Sequence, residues 1–172
     1  MKNGTIVLIS NTSKKWYHNV VLWFIRNTTG SNKTHIKVWV DGAWYDNGYP
    51  KGAGKSSKKY IECPETVLRE LRIDLTTDQV MKMKAFGERS IKEKMKYNII
   101  LLLLTRIFFK QRFFWNLIGW VPFSKTKWFG NYCSVYVDRM FKYAGIDCFP
   151  GLFEKLTSPG DFEKCDLFKG VS

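Results

Sequence analysis

The sequence predicts an α+β fold in which a small antiparallel sheet packs against helices. Three observations predict it. The run Thr5-Ile6-Val7-Leu8-Ile9 reads as a short buried strand. Further on, Ile36, Val38 and Val40 alternate with Lys37 and Trp39, turn at Asp41-Gly42 and return through Ala43 to Asn47, the pattern of a two-residue β-hairpin. Helical periodicity then dominates the second half of the chain. At 172 residues, with 45% hydrophobic and 16% aromatic residues, the chain has the size of one domain, 1–172, and enough apolar surface to close a core. Disorder, collagen and coiled coil are excluded on the same composition.

Taken in order, the strand at Thr5–Ile9 is followed by Ser13, a candidate N-cap for a helix over Lys14–Arg26 with Trp16, Val20, Trp23 and Phe24 at helical spacing. Asn27-Thr28-Thr29-Gly30 stops it. The hairpin comes next, and then the Gly/Lys/Ser stretch Gly48–Lys58, which reads as a mobile loop. Lys59–Cys63 and Arg72–Leu75 are candidate strands around a short helical turn at Glu65–Glu70. Thr76 or Thr77 caps a long helix to about Lys94, with Val80, Met83, Phe86, Ile91 and Met95 as its apolar stripe. A further apolar helix runs from near Tyr97 to about Phe109, and Phe113–Phe129 reads as loop or broken helix. Within that region, residues of about 106–127 form a basic, aromatic insertion. Asn131 is a candidate cap for a helix over Tyr132–Ala144, closed by Gly145 in the C′ position, and Ser158-Pro159-Gly160-Asp161 opens a short terminal helix.

Charge is unevenly placed. Net charge is +13, yet residues 1–132 hold 23 Lys/Arg against 9 Asp/Glu, while residues 133–172 hold 5 against 6. Such a field favours anionic partners, among them nucleic acid, acidic lipid headgroups and cell-wall polymers. Without a zinc finger, an RNP box or a basic region with heptads, nucleic acid is the least supported of these. The longest apolar run, Ile99–Leu104, is too short for a membrane span, and the N-terminus lacks the length and cleavage site of a signal peptide, so a cytoplasmic protein is expected. The four cysteines Cys63, Cys133, Cys148 and Cys165 show no close pairing of the zinc-site kind; reduced thiols and no metal are expected.

Chemistry has few possible centres. His18 lies inside the first helix among bulky apolar residues, whereas His35 opens a strand directly after a loop, where a rigid element presents an imidazole at a cleft edge. Cys133 falls in the first turn of the last major helix, where unpaired N–H groups and the positive end of the macrodipole favour a thiolate and can hold an oxyanion. The turn at Asp41-Gly42 pairs Val40 with Ala43, Trp39 with Trp44 and Lys37 with Asp46. His35 and Asp46 then share a face, and Asp46 can orient the imidazole; a bulge would shift that role to Asn47.

The succession of strand, helix, Thr34-His35 strand, hairpin, Leu75-Thr76-Thr77-Asp78-Gln79 helix and Tyr97-Asn98 leads to an Asn131-Tyr132-Cys133-Ser134-Val135-Tyr136-Val137 helix that ends in Ala144-Gly145-Ile146-Asp147. This order resembles the circularly permuted papain-like thiol hydrolases, the NlpC-type relatives that include the YiiX-like amidases, the lecithin:retinol acyltransferase group and a poxvirus branch. The resemblance extends from Gly4-Thr5-Ile6-Val7, similar to the family's opening strand, to the closing Ser158-Pro159-Gly160-Asp161 turn. It departs from the family at Thr5, where an Asp is usual, and at the orienter, usually Glu, His or Gln. The resemblance implies a permuted papain-like fold with Cys133 as nucleophile, His35 as general base and a hairpin polar residue as orienter. It further implies Tyr97 and Asn131 as oxyanion or cleft candidates, and no cofactor. The expected activity is that of a small peptidase or amidase, bacterial or phage-encoded, acting through a thioester on amide bonds of cell-wall type. A lipid acyl hydrolase or acyltransferase at a membrane surface, suggested by Phe108, Phe109, Phe113, Phe114 and Trp115 interleaved with cations, and a non-catalytic basic binding module are the alternatives.

Overall fold

A computed structural model describes residues 1–10, 16–29, 31–48, 51–56, 66–97, 132–150 and 157–170. They form an α+β arrangement around a six-stranded antiparallel sheet, in the spatial order β4-β3-β2-β1-β5-β6. The strands are β1 (Thr5–Ser10), β2 (His35–Val40), β3 (Ala43–Gly48), β4 (Gly52–Ser56), β5 (Thr66–Arg72) and β6 (Lys169–Gly170). The helices are α1 (Trp16–Thr29), α2 (Thr77–Lys92) and α3 (Cys133–Tyr143), with a 3₁₀ helix at Pro159–Lys164.

β1 is paired on both edges and buried from Thr5 to Ile9, which is why its apolar residues run without alternation. Directly paired residues of antiparallel strands project to one face. Ile6 and Val38 are paired, as are Leu8 and Ile36, and Val38 is paired again with Tyr45; these residues belong to the main core together with Met83 of α2 and Tyr136, Val137, Met140 and Phe141 of α3. A second, smaller cluster holds Val7, Ile9 and Trp44, with Trp39 edge-on to Trp44 at a centroid separation of 5.2 Å. The expected pairs Val40–Ala43 and Trp39–Trp44 are both present.

Helix α2 starts at a capping box. Gln79 N–H donates to Thr76 Oγ1 at 3.3 Å, and Thr76 N–H donates to Gln79 Oε1 at 2.9 Å, which fixes Thr76 as the cap. Its far half is clamped to the hairpin, because the Tyr45 hydroxyl and Lys55 Nζ both donate to Glu88 Oε1, at 2.8 and 2.6 Å. Helix α3 is buried on almost every side, and Asp138, inside the core, is paired with Lys142 at 3.3 Å. Gly145, at φ 80°, follows Ala144 in the left-handed conformation that ends a helix.

Four expectations are corrected. The stretch Gly48–Lys58 is not simply a loop, because Gly52–Ser56 forms edge strand β4 against β3. Glycine permits it: a Cβ on Gly52, at φ +84°, would stand 2.4 Å from the Met95 carbonyl oxygen, the same oxygen that accepts from Ala53 N–H at 2.8 Å. Residues 66–70 are extended in β5, not helical, because the free edge of β1 supplies a ladder that outweighs local helix preference; a register shift at Leu8/Ile9 accommodates the match. Of the strand expected over Arg72–Leu75, only Arg72 lies in a strand. The last major helix begins at Cys133 with Tyr132, not Asn131, at the N-cap, since burial of the Tyr132 ring against Val135 fixes where the chain turns inward. The two-residue β6 carries no sequence signal. Lys59–Cys63, the expected helix beyond Tyr97, the insertion at 106–127 and Asn131 lie outside the described residues.

Candidate active site

His35 is the first residue of β2, and its position is over-determined. The preceding Thr34 donates from its N–H to the Ile9 carbonyl at 2.8 Å and from its hydroxyl to the same oxygen at 3.3 Å, extending the β1–β2 ladder past the strand end. The imidazole is therefore held by backbone on a central strand rather than by a loop. Across the hairpin, His35 Nε2 lies 2.9 Å from Asp46 Oδ2. That distance shows that the two side chains share a face, as the turn at Asp41-Gly42 predicts. Lys37 Nζ approaches the same carboxylate oxygen at 3.9 Å. Asn47, the alternative orienter, is fully buried next to Asp46 in β3.

Cys133, the first residue of α3, is close enough to act on the same imidazole by hydrogen bond and charge. Its sulfur also sits 4.0 Å from the Thr34 carbonyl oxygen, so the nucleophile candidate stands over the very start of β2. Tyr132, at φ −116° and ψ 173°, makes no side-chain cap, and the first helical bond runs from Tyr136 N–H to the Tyr132 carbonyl at 2.9 Å. The N–H groups of the first turn, to which Cys133 belongs, consequently have no acceptor within the helix. Tyr97 packs, half-buried, against Tyr132 and Val135, on the turn that carries Cys133.

Electrostatics follow from this geometry. Burial of His35 by itself lowers its proton affinity, but hydrogen bonds to Asp46 and then to Cys133, with the charges of both, outweigh it and push the pKa up to about 10. The imidazole thus keeps its proton through the neutral range. With Nε2 turned to Asp46, Nδ1 is the nitrogen left to face the sulfur. Cys133 is 3% exposed and His35 6%, so the pair is drier than the partly open site that the sequence suggests.

Some supports carry no sequence signal. Ser134, directly after the cysteine, donates from its hydroxyl to the Thr157 carbonyl at 2.6 Å, tying the start of α3 to the closing turn. That turn is itself locked, since Ser158 donates to Asp161 Oδ2 from both N–H and hydroxyl at 2.7 Å. It lies against Ser31, and Glu163 pairs with Lys33, just ahead of Thr34 and His35. The Ser-Pro-Gly-Asp motif was visible; its role in bracing both halves of the site was not. Among the described residues, no group of three or more His, Cys, Asp or Glu side chains is arranged to hold a metal ion. No family model matches the chain, and no curated protein matches it.

Proposed function

We propose that this protein is a cysteine-dependent hydrolase of permuted papain-like fold, with Cys133 as nucleophile, His35 as proton carrier and Asp46 as orienter. The observation that carries the reading is the convergence on one buried imidazole of a carboxylate from β3 and a thiol from the first turn of α3. A structural histidine needs one satisfied partner; this one has an acid on one side and a nucleophile on the other.

In the reaction, the Cys133 thiolate attacks an amide or ester carbonyl while the His35 imidazolium, which holds the proton of the pair, stands beside it. The carbonyl oxygen takes up negative charge near the first-turn N–H groups of α3. His35 then gives its proton to the leaving nitrogen or oxygen, the carbon–heteroatom bond breaks, and an acyl thioester remains on Cys133. Acylation also resets the base. The hydrogen bond and charge of Cys133 that help hold the His35 proton are lost once the sulfur is acylated, so that only Asp46 still opposes the effect of burial. The neutral imidazole can then take a proton from water, which attacks the thioester and releases the acid. An amide substrate on an anionic cell-wall polymer suits the net charge of +13.

Alkylation by a small reagent at mildly acidic pH, followed by peptide mass mapping, tests the reading. Cys133 should be modified faster than Cys148 or Cys165, and a panel of activated amides and esters should leave an acyl adduct on Cys133 alone. Uniform, slow labelling with no adduct would replace the enzyme with a binding module.

A further inference from the structure

Helix α1 joins the end of β1 to the loop that leads into His35, so it flanks the candidate site in the chain. Its outward face is not the polar face of an ordinary surface helix. Trp16, Val20 and Trp23, spaced i, i+4 and i+7, lie along one side and are 76%, 54% and 64% exposed. The exposed asparagines Asn19 and Asn27 and the half-buried Arg26 are the polar residues described alongside that line. Two exposed tryptophans on one helix face are a large apolar surface with no obvious reason to be wet.

The sequence around this helix carries charge of one sign, although Lys33 and Lys37 are paired in space with Glu163 and Asp46. Residues 1–40 contain six Lys or Arg and no Asp or Glu, and Lys14-Lys15 immediately precede Trp16 in the chain. A tryptophan stripe in a segment of the sequence rich in Lys and Arg and lacking Asp and Glu matches the boundary between acyl chains and anionic headgroups, where indole rings are favoured and basic residues meet phosphate. Nucleic acid would use the cations but leaves the aliphatic Val20 unexplained. A second copy of this chain would use the stripe but brings the same positive field against itself. At 14 residues, α1 is too short to span a bilayer.

We infer that α1 is a peripheral docking helix that lies in the interface of an anionic phospholipid bilayer through Trp16, Val20 and Trp23. Docking would hold the His35 end of the sheet next to the lipid surface. It does not depend on the thiol chemistry proposed above, and its test leaves Cys133 intact.

The test is co-sedimentation of the full chain with phosphatidylcholine vesicles, with and without phosphatidylglycerol, at low and high salt. Binding is expected only with phosphatidylglycerol, weaker at high salt, and accompanied by a blue shift of tryptophan emission. Trp16→Ser with Trp23→Ser should weaken it about tenfold or more. Met81→Ser, which removes an equally exposed apolar side chain from α2, should leave it unchanged. Should the double variant fold poorly, Val20→Glu on the same exposed line should weaken binding while preserving the melting curve. Four results would overturn the inference: no vesicle binding, binding indifferent to all these stripe changes, a stripe-dependent dimer that ignores vesicles, or a stripe-dependent preference for RNA over vesicles.

Discussion

Two cysteine environments lie at opposite ends of α3 and its following turn, and both are buried. Cys133 sits at the helix start against the His35 imidazole; Cys148 and Cys165 sit beyond its end, with the Cys165 thiol 3.1 Å from the Cys148 carbonyl oxygen. Burial alone does not separate them, since all three are less than a tenth exposed. Partners do. Around Cys148 and Cys165, burial is the leading influence, and it pushes both thiols up, away from the ionised form. Beside Cys133, by contrast, is the His35 imidazole, whose proton affinity Asp46 and Cys133 raise. On the function proposed here, what separates a reactive buried thiol from an inert one is the proton carrier folded in beside it.

The largest effect expected from this contrast is on turnover. Cys133→Ala should reduce the rate on any substrate found by the adduct screen by more than about 10⁴-fold, as removal of a nucleophile does. Cys148→Ser and Cys165→Ser should leave turnover intact; Cys148→Ser should lower the melting temperature, because burying a polar hydroxyl costs about 1–3 kcal/mol, and Cys165→Ser should lower it less, because the Cys148 carbonyl oxygen can accept from the new hydroxyl. Steady-state kinetics beside thermal melts reads both. Equal rate losses at all three positions would erase the distinction between the two regions.

A smaller effect belongs to the orienter. Asp46→Asn preserves shape but removes the charge and replaces a carboxylate acceptor of the His35 proton with a weaker amide oxygen, so the imidazole pKa should fall from about 10. Turnover should drop by about a hundredfold. NMR titration of His35 separates this from a packing defect, since mere loosening of the hairpin would leave the rate lower without the downward shift.

The smallest effect is on stability against pH, and its window differs between the two regions. His35 is raised from an unfolded value of 6.5 to about 10, so the folded state holds the proton more tightly. Its contribution is fully present below about pH 6.5 and is lost as pH rises toward about 10. Cys148 and Cys165 are also raised, but from 9.0, so their contribution begins to fade only above that pH. Denaturant melts should show stability falling already between pH 7 and 9, and His35→Gln should flatten that part of the curve while leaving the alkaline part. A wild-type curve flat to pH 9 would mean that the imidazole is not held as described.

Periodicity and turn chemistry were enough to read β1, the β2–β3 hairpin, α2 and most of α3 from the sequence, because each is specified by neighbours within a few residues. The same local logic made the His35–Asp46 pairing legible: a two-residue turn sets the register, and register sets which side chains meet. The placement of Cys133 on a first helical turn was legible too. What only the tertiary structure decided were the features that depend on distant partners. Residues 66–70 are extended because β1 offers an open edge, and Gly52–Ser56 pairs as a strand because Met95 accepts its backbone N–H group. The 99-residue separation between Thr34 and Cys133 is closed by the packing of α3 on the sheet and by the Ser134–Thr157 tie, neither of which any short window encodes. Local sequence chose the chemical groups and pointed them; burying α3 against β2 and β3 brought them together, because only the core could offset the cost of drying a histidine and a thiol in one place.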